Sequence, residues 1–290
     1  MTKSLAELGD SLSGDVLTPS DREYERARLC FNLLIDRRPA AIARCVNAED
    51  VATALAFGQA HGLEIAVRGG GHNPAGHCAV DDGLVVDLSR MRNVAVDPDA
   101  HLATSEGGAT WLDFDAATQA HGLVTPGGVV GSTGVTGLTL GGGIGHLTAQ
   151  YGLTCDNLVA AELVTSGGSL VSTSDDENPE LLWALRGGGG NFGVVTRMRF
   201  RLHPLERVIG GRLEYAGDGV RDALRAFRDV DARAGSDLSC QAQLTLDEAM
   251  VPKLVVAPCY TGPDANPEEL RALRTARGLA GDGVRSQTFL

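Results

Sequence analysis

The stretch LEIAVRGGGHN, residues 63–73, decides how the rest of the chain is read. Leu63 to Val67 reads as a buried strand. It runs directly into Arg68-Gly69-Gly70-Gly71-His72-Asn73. Consecutive glycines leave backbone N–H groups unshielded, so such a loop can form an anion nest for a pyrophosphate, with Arg68 adding charge. A tight turn is the alternative, and this loop alone does not separate the two. A second loop, Gly131-Ser132-Thr133-Gly134 through Gly141-Gly142-Gly143-Ile144-Gly145, changes the balance. Two glycine cradles suit a long ligand with a diphosphate and two ring systems. Of the 38 glycines, 26 fall between Gly62 and Gly193, interleaved with Val, Leu and Ile. That interleaving argues for ordered backbone around a ligand and against a disordered tract.

Working outward, residues 21–35 read as a helix that Pro39 ends, and Ala40 to Val46 as a strand. Asn47 caps the next helix, Ala48 to His61, with Asp50 at its third position. Short strands follow at Leu84 to Leu88, Asn93 to Asp97 and Ala100 to Ser105, then a helix from Trp111 to His121 capped by Thr110. QAHGL occurs twice, at 59–63 and 119–123, both times at a helix end; glycine suits that position, so no repeat is inferred. Asn157–Val164 and Ser169–Thr173 read as a hairpin turning at Ser166-Gly167-Gly168. Pro179 to Arg186 is a short helix, and Phe192 to Leu202 a strand that His203-Pro204 breaks. From about Val208 glycine thins out. Strands are predicted at Arg212–Tyr215, Ala242–Leu246 and Lys253–Tyr260, with helices at Gly219–Asp231 and Pro267–Arg277, giving a second, α+β unit.

Composition excludes several classes. The 290-residue chain has a formal net charge of −12, two lysines (Lys3 and Lys253) and 4% aromatics, which disfavours nucleic acid as a partner. No apolar run approaches the ~18 residues of a membrane span, and Met1 to Asp10 lacks the order of a signal peptide; cytoplasmic residence is the default expectation. Six scattered cysteines form no C-x-x-C pair, so neither a zinc ribbon nor a redox dithiol is signalled. The His72…His77 spacing does not suit a metal-binding helix face, and no metal is expected. Gly188 to Gly193 fits G-x-G-x-x-G but follows a helix and opens a strand, the reverse of a dinucleotide-binding fingerprint.

RGGGHN, DDGLVVDLSRM, HGLVTPGG, TGVTGLTLGGGIG, YGLTCDN and WALRGGGGNFGVVT occur in this order. Together they resemble the berberine-bridge-enzyme-like branch of the FAD-linked oxidases, from about Leu17 to Leu205 and more loosely to Leu290. The resemblance implies an α+β fold: a two-subdomain FAD-binding unit of the PCMH type (the vanillyl-alcohol-oxidase fold), then part of a substrate domain with an antiparallel sheet. The expected boundaries are 1–36 for an N-terminal helical segment, 37–207 for the FAD-binding part and 208–290 for the partial substrate part.

The resemblance also assigns roles. FAD is the implied cofactor, held by Arg68, Gly69, Gly70, Gly71, His72, Asn73, Gly76 and His77 at the pyrophosphate loop. Gly131, Ser132, Thr133, Gly134, Gly137, Gly141, Gly142 and Gly145 are implied along the isoalloxazine ring, with Val195 giving a backbone contact. His72 stands where the family attaches the flavin 8α-carbon to an imidazole nitrogen. Where some members carry a second, cysteinyl link, counting back from Gly141-Gly142-Gly143 gives Val130. That departure implies a single bond, as in bacterial members of the 6-hydroxynicotine oxidase type. Ile144 replaces a tyrosine that plant members often present to the substrate, so the catalytic base is left unassigned. The implied activity is hydride transfer from an alcohol, sugar, amine or natural-product intermediate to flavin, with O2 or another electron acceptor. A flavin-binding chain without turnover is the alternative; a module for another pyrophosphate ligand, such as a UDP-sugar, is the third. Family members are longer, so the chain is expected to be catalytically incomplete, with an unpaired sheet edge in its second unit. An oligomer is left open.

Overall fold

The computed structural model describes residues 2–289. Its first sheet carries at one edge the strand that precedes the glycine loop. The chain runs through α1 (Thr2–Ser11), β1 (Asp15–Leu17), α2 (Tyr24–Ala27), β2 (Ala41–Arg44), α3 (Ala48–Ala60), β3 (Ile65–Arg68) and β4 (Leu84–Asp87). The strand order is β1-β2-β4-β3. β4 lies parallel between β2 and β3, and β1 closes one edge antiparallel. A parallel arrangement needs a crossover element, which α3 supplies. Asn47 caps α3 by accepting the Asp50 N–H at 2.8 Å. Val51, Ala54 and Leu55 pack with Leu5 and Leu8 on Ala41, Ala43, Leu84 and Val86. Tyr24, Leu17 and Val80 cover Ile42, Ala66 and Val85 on the other face. Burial on both faces is why β4 is uninterrupted Leu-Val-Val.

The second sheet follows: β5 (Val94–Asp97), β6 (Leu102–Glu106), α4 (Trp111–Gln119), β7 (Leu123–Val124), α5 (Val135–Leu140), α6 (Thr148–Tyr151), β8 (Leu158–Val164), β9 (Leu170–Ser174), α7 (Pro179–Leu185), β10 (Val194–Arg201) and β11 (His203–Pro204). The strands order as β5-β6-β10-β8-β9, all antiparallel. Thr110 and Asp113 form a reciprocal capping box at the start of α4. Behind it Trp111, Phe114 and Phe200 meet edge to face with centroids 5.4–6.5 Å apart, a favoured arrangement of aromatic quadrupoles. Val164 and Val194 pack among the first sheet's core residues, which joins the two sheets.

The third sheet contains β12 (Val208–Gly210), β13 (Leu213–Ala216), β14 (Leu238–Leu246), β15 (Pro252–Tyr260), β16 (Leu279–Asp282) and β17 (Arg285–Gln287), with α8 (Val220–Asp231) and α9 (Glu268–Thr275). β15 is central, with β14 along one side and β12 and β13 along the other. Val220, Ala223, Leu270 and Leu273 cover Tyr215, Leu254 and Val256. β14 pairs on one side only among the described residues, and its Leu244 and Leu246 are 59% and 50% exposed. Among the described residues no helix is long and apolar enough to cross a membrane.

The mixed α+β class and its antiparallel sheets agree with the sequence reading. The main correction concerns residues 21–35, where the helix stops after Ala27. The carbonyls of Ala27 and Leu29 accept from the Arg68 guanidinium, and the Phe31 N–H donates to Gly71 O at 3.0 Å. These bonds draw the backbone out of the helix despite good local propensity, a tertiary override. Leu33 and Leu34, beyond the end of the helix, are 74% and 91% exposed. His203-Pro204 ends β10 as expected, yet the pair goes on to form β11 against Leu123-Val124. β14 begins at Leu238, four residues before the predicted strand. The short elements α1, β1, α5, α6, β12, β16 and β17 have no counterpart in the sequence reading.

Asp115 lies on the buried face of α4 with no hydrogen-bond partner for Oδ1. Burial pushes its carboxyl up to about 7. The folded state therefore holds a proton that the unfolded chain releases near pH 4, and stability falls as pH rises from about 4 to about 7. Asp115→Asn removes the titration. The variant should gain on the order of a few kcal/mol over the parent at pH 8 and little at pH 4, checked by denaturant unfolding at both pH values; an equal difference at the two pH values contradicts the assignment.

Candidate functional site

The two glycine loops meet backbone to backbone. A Cβ on Gly70 would fall on the Gly134 backbone, 2.7 Å from its Cα, and a Cβ on Gly134 would stand 2.5 Å from Gly70 N. Only glycine at both positions permits this approach. The second loop is held in turn by the start of α4. Trp111 N donates to Thr133 O at 3.0 Å, Leu112 N to Gly131 O at 2.8 Å, and Val135 N to Ala109 O at 2.9 Å. Ser132 and Thr133 are thereby presented to the first loop.

His72 lies at this junction. Its Nε2 is 3.0 Å from Ser132 Oγ and its Nδ1 3.3 Å from Thr133 Oγ1. Each hydroxyl can donate or accept, so either neutral tautomer is satisfied. The Phe31 ring stacks on the imidazole at 4.2 Å with a 16° interplanar angle. Burial lowers the His72 pKa from its ordinary value, since desolvation disfavours the cation. The ring is therefore mostly neutral at pH 7, and the nitrogen without a proton can act as a nucleophile once its hydroxyl partner turns away.

Each residue singled out from the sequence has a definite place. Arg68 ends β3, and its guanidinium donates to the Ala27 and Leu29 carbonyls, so it anchors the 28–36 segment beside Gly71. Gly69 faces Gly107 O, 3.4 Å from where its Cβ would be. Asn73 Oδ1 accepts from the N–H groups of Ala75 (3.0 Å) and His77 (3.3 Å), folding the loop on itself. Gly76 has φ +77° and packs under Ile35. His77 is exposed. Gly131 abuts Leu112. Gly137 and Gly141 are exposed, with no atom closer than 3.6 Å to where a side chain would begin. Gly142 has φ +104°, and the adjoining turn is fastened by Cys155 N to Gly142 O at 2.9 Å and Thr154 N to Gly143 O at 3.0 Å. Gly145 lies directly on the Gly127 carbonyl. Val195 is buried in β10, and its carbonyl faces Gly107.

The structure thus brings the RGGGH loop, Ser132, Thr133 and Gly134 together, and links Gly69 to Val195 through Gly107. His77 is the residue it leaves aside. Sequence reasoning did not reach three features. Phe31 over His72 has no local signal. Gly107-Gly108 at the end of β6 was visible as a glycine doublet. A network under the second loop joins Tyr151, Asn157 and His203: Asn157 Oδ1 lies 2.8 Å from His203 Nε2, and the Tyr151 and His203 rings stack at 4.0 Å.

The surfaces fit FAD in kind. The hydroxyls of Thr136 and Thr154, in and beside the second loop, are buried without partners. Gly137 and Gly141 offer bare backbone, and Val129, Val130 and Ile144 expose apolar side chains. Uncommitted hydroxyls, open backbone and apolar surface in one place suit a ligand that combines phosphates with a flat ring.

Comparison with known proteins agrees. Residues 39–174 match the family model described as an FAD binding domain. The chain is 40% identical over 283 residues to (R)-6-hydroxynicotine oxidase of Paenarthrobacter nicotinovorans, covering 96% of this chain and 62% of that protein. It is 39% identical over 183 residues to glucooligosaccharide oxidase of Sarocladium strictum, covering 62% of this chain and 36% of that protein. The crystal structure of 6-hydroxy-D-nicotine oxidase from Arthrobacter nicotinovorans superposes with a TM-score of 0.90 at 34% identity, covering 95% of this chain and 62% of that one. The chain therefore spans less than two thirds of the length of these relatives.

The loop contact predicts unequal tolerance to added side chains. Gly70→Ala drives a Cβ into the Gly134 backbone and should cost about 2 kcal/mol or more. Gly137→Ala, an exposed helical position with open space around it, should be neutral or stabilising by about 0.5–1 kcal/mol. Thermal unfolding of the two variants checks the order; equal effects would contradict the backbone contact.

Proposed function

We propose a single-link covalent flavin site for this chain, which belongs to the berberine-bridge-enzyme-like FAD-linked oxidoreductases. The observation that carries the reading is His72, held by Ser132 and Thr133 at the junction of the two glycine loops and kept neutral by burial. In this reading Gly69, Gly70, Gly71 and Asn73 receive the pyrophosphate, Ser132 and Thr133 orient the imidazole for its bond to the flavin 8α-carbon, and Gly137 to Gly145 line the ring. Val130, at the family's second attachment position, offers no nucleophile. When bound, FAD supplies the two-electron acceptor, and the protein's part is to place and tune it.

Residues 37–207 form the FAD-binding part in this proposal, residues 1–36 its N-terminal segment, and residues 208–290 contribute to the substrate side. Contacts between the parts support that division of labour. Ser239 Oγ on β14 is 3.5 Å from His146 Nδ1, and Thr261 Oγ1 donates to Gln150 Oε1 at 3.0 Å. The end of the glycine loop thus borders the third sheet. The substrate class is a small alcohol, sugar, amine or natural-product intermediate, and the relatives' names span an amine heterocycle and a sugar. O2 or another acceptor takes the electrons. A second reading, a flavin-binding chain that does not turn over by itself, is favoured by one observation: β14 leaves an edge unpaired with Leu244 and Leu246 exposed.

The test begins with colour. Purified protein should stay yellow after acid precipitation, and peptide mapping should find flavin on the fragment that contains His72 and on no other. His72→Ala should retain at most acid-releasable flavin. Flavin on a different peptide, or full release from the parent protein by acid, would overturn the covalent assignment. Anaerobic bleaching by alcohols, sugars or amines then separates turnover from mere binding.

A further inference from the structure

The sequence shows six cysteines without a paired motif, yet folding brings two of them together. Cys30 Sγ and Cys78 Sγ are 3.4 Å apart. Both side chains are buried, and with Ala79 and Ile35 they form a small apolar cluster separate from the main cores. The other four cysteines have no such neighbour. Cys240 and Cys259 lie on adjacent strands, but the register sets Cys240 opposite Pro258 and Cys259 opposite Ser239. Side chains alternate along a strand, so these two thiols point to opposite faces of the sheet. Cys45 and Cys155 lie within the first and second sheet regions, with no second thiol in contact among the described residues.

The elements that carry the pair give it a consequence. Cys30 belongs to the 28–36 segment, which passes over the candidate site as a strap. Phe31 stacks on His72, Phe31 N donates to Gly71 O, and Asn32 Nδ2 donates to Pro74 O at 3.0 Å. Cys78 ends the loop that begins at His72. Arg68 anchors the start of the strap, while Phe31, Leu33 and Leu34 along it are exposed. A bond between the two sulfurs would fasten the strap to the far end of the His72 loop.

We infer that Cys30 and Cys78 form a thiol pair that closes reversibly to a disulfide and clamps the 28–36 strap over His72. The sulfurs need to approach by only about 1.4 Å to reach bonding distance. The oxidant is a hydroperoxide. One thiolate attacks an oxygen of hydrogen peroxide; the O–O bond breaks to give a sulfenic acid and hydroxide, which takes up the proton the thiol lost and leaves as water. The second thiol displaces the hydroxyl as a second water and forms the S–S bond. Two electrons pass from the sulfurs to the peroxide, and a dithiol reductant returns them. Burial and the neighbouring Cys30 thiol push the Cys78 thiol up to about 11. Closure is therefore slow at neutral pH and accelerates about tenfold per pH unit below that value, as the thiolate fraction grows.

The experiment uses the 290-residue chain as purified, treated with hydrogen peroxide at pH 7, 8 and 9, alkylated with iodoacetamide in denaturant and digested with trypsin. Cleavage after Arg28, Arg37, Arg68 and Arg90 puts Cys30 in peptide 29–37 and Cys78 in peptide 69–90. The expected product is these two peptides joined, two hydrogens lighter than their sum, with or without a group on His72. It should vanish on reduction with dithiothreitol, and four alkylated thiols should remain. Before denaturation, oxidised protein should also be cut several-fold more slowly by chymotrypsin after Phe31, Leu33 and Leu34, which are exposed on the strap, than reduced protein, a change that Cys78→Ala should not show on peroxide treatment. Mapping the unaltered chain needs no variant to fold. Peroxide giving only sulfinic acids, a different cysteine pairing, or a 29–37/69–90 link that leaves chymotryptic cleavage of the strap unchanged would overturn the inference.

Discussion

Gly70 and Gly134 touch through their backbones, with no side chain between them, and the candidate site follows from that contact. Two loops separated by some sixty residues share one junction because each lacks a Cβ where the other passes. The distance from His72 to Ser132 and Thr133 is set there, as is the course of α5 away from the junction. Hydrogen bonds from the start of α4 to Gly131 and Thr133 hold the second loop in place, and the Thr110–Asp113 capping box fixes that helix end. The Trp111–Phe114–Phe200 cluster behind it makes the support rigid. A packed aromatic core thus governs the position of two hydroxyls at the surface.

Arg68 is the second organising residue. A cation at the end of a strand leading into three glycines suggests a direct partner for a phosphate. Its guanidinium instead bonds the carbonyls of Ala27 and Leu29. Those carbonyls lie where a helix would otherwise continue and bond within itself. One arginine therefore ends α2, turns the chain across the glycine loop and brings Phe31 onto His72. Burial at this junction favours neutral imidazole, and the strap that Arg68 anchors lies over that ring.

The third sheet meets the glycine loops at a few polar contacts. Ser239 faces His146, Thr261 donates to Gln150, and Phe289 N donates to Gln119 Oε1 at 2.8 Å. Its apolar core forms a separate cluster around Tyr215, Leu254 and Leu270. Such an interface positions one unit against another while leaving the surface between them polar.

Local chemistry in the chain was sufficient for much of this. Asn47 and Thr110 mark helix starts, Gly62 and Gly122 mark helix ends, Ser166-Gly167-Gly168 turns a hairpin, and alternation from Val194 to Phe200 marks a strand; each is a property of a few adjacent residues. The ordered glycine motifs likewise pointed to the FAD-linked oxidase family, and at Gly70 and Gly134 the backbone contact requires glycine. Short pieces such as β12, β16 and β17 were not legible, since three or four residues carry no period and acquire strand form only from their neighbours. The helix expected over 21–35 follows local propensity and fails because its carbonyls find a partner in Arg68, forty residues away. The same holds for the pairing of Cys30 with Cys78 and for Phe31 over His72. Sequence determined which segments are helix, strand or loop wherever the signal was local. Tertiary structure alone decided which loops touch, which carbonyls a cation takes and which thiols meet, because those energies depend on groups distant along the chain.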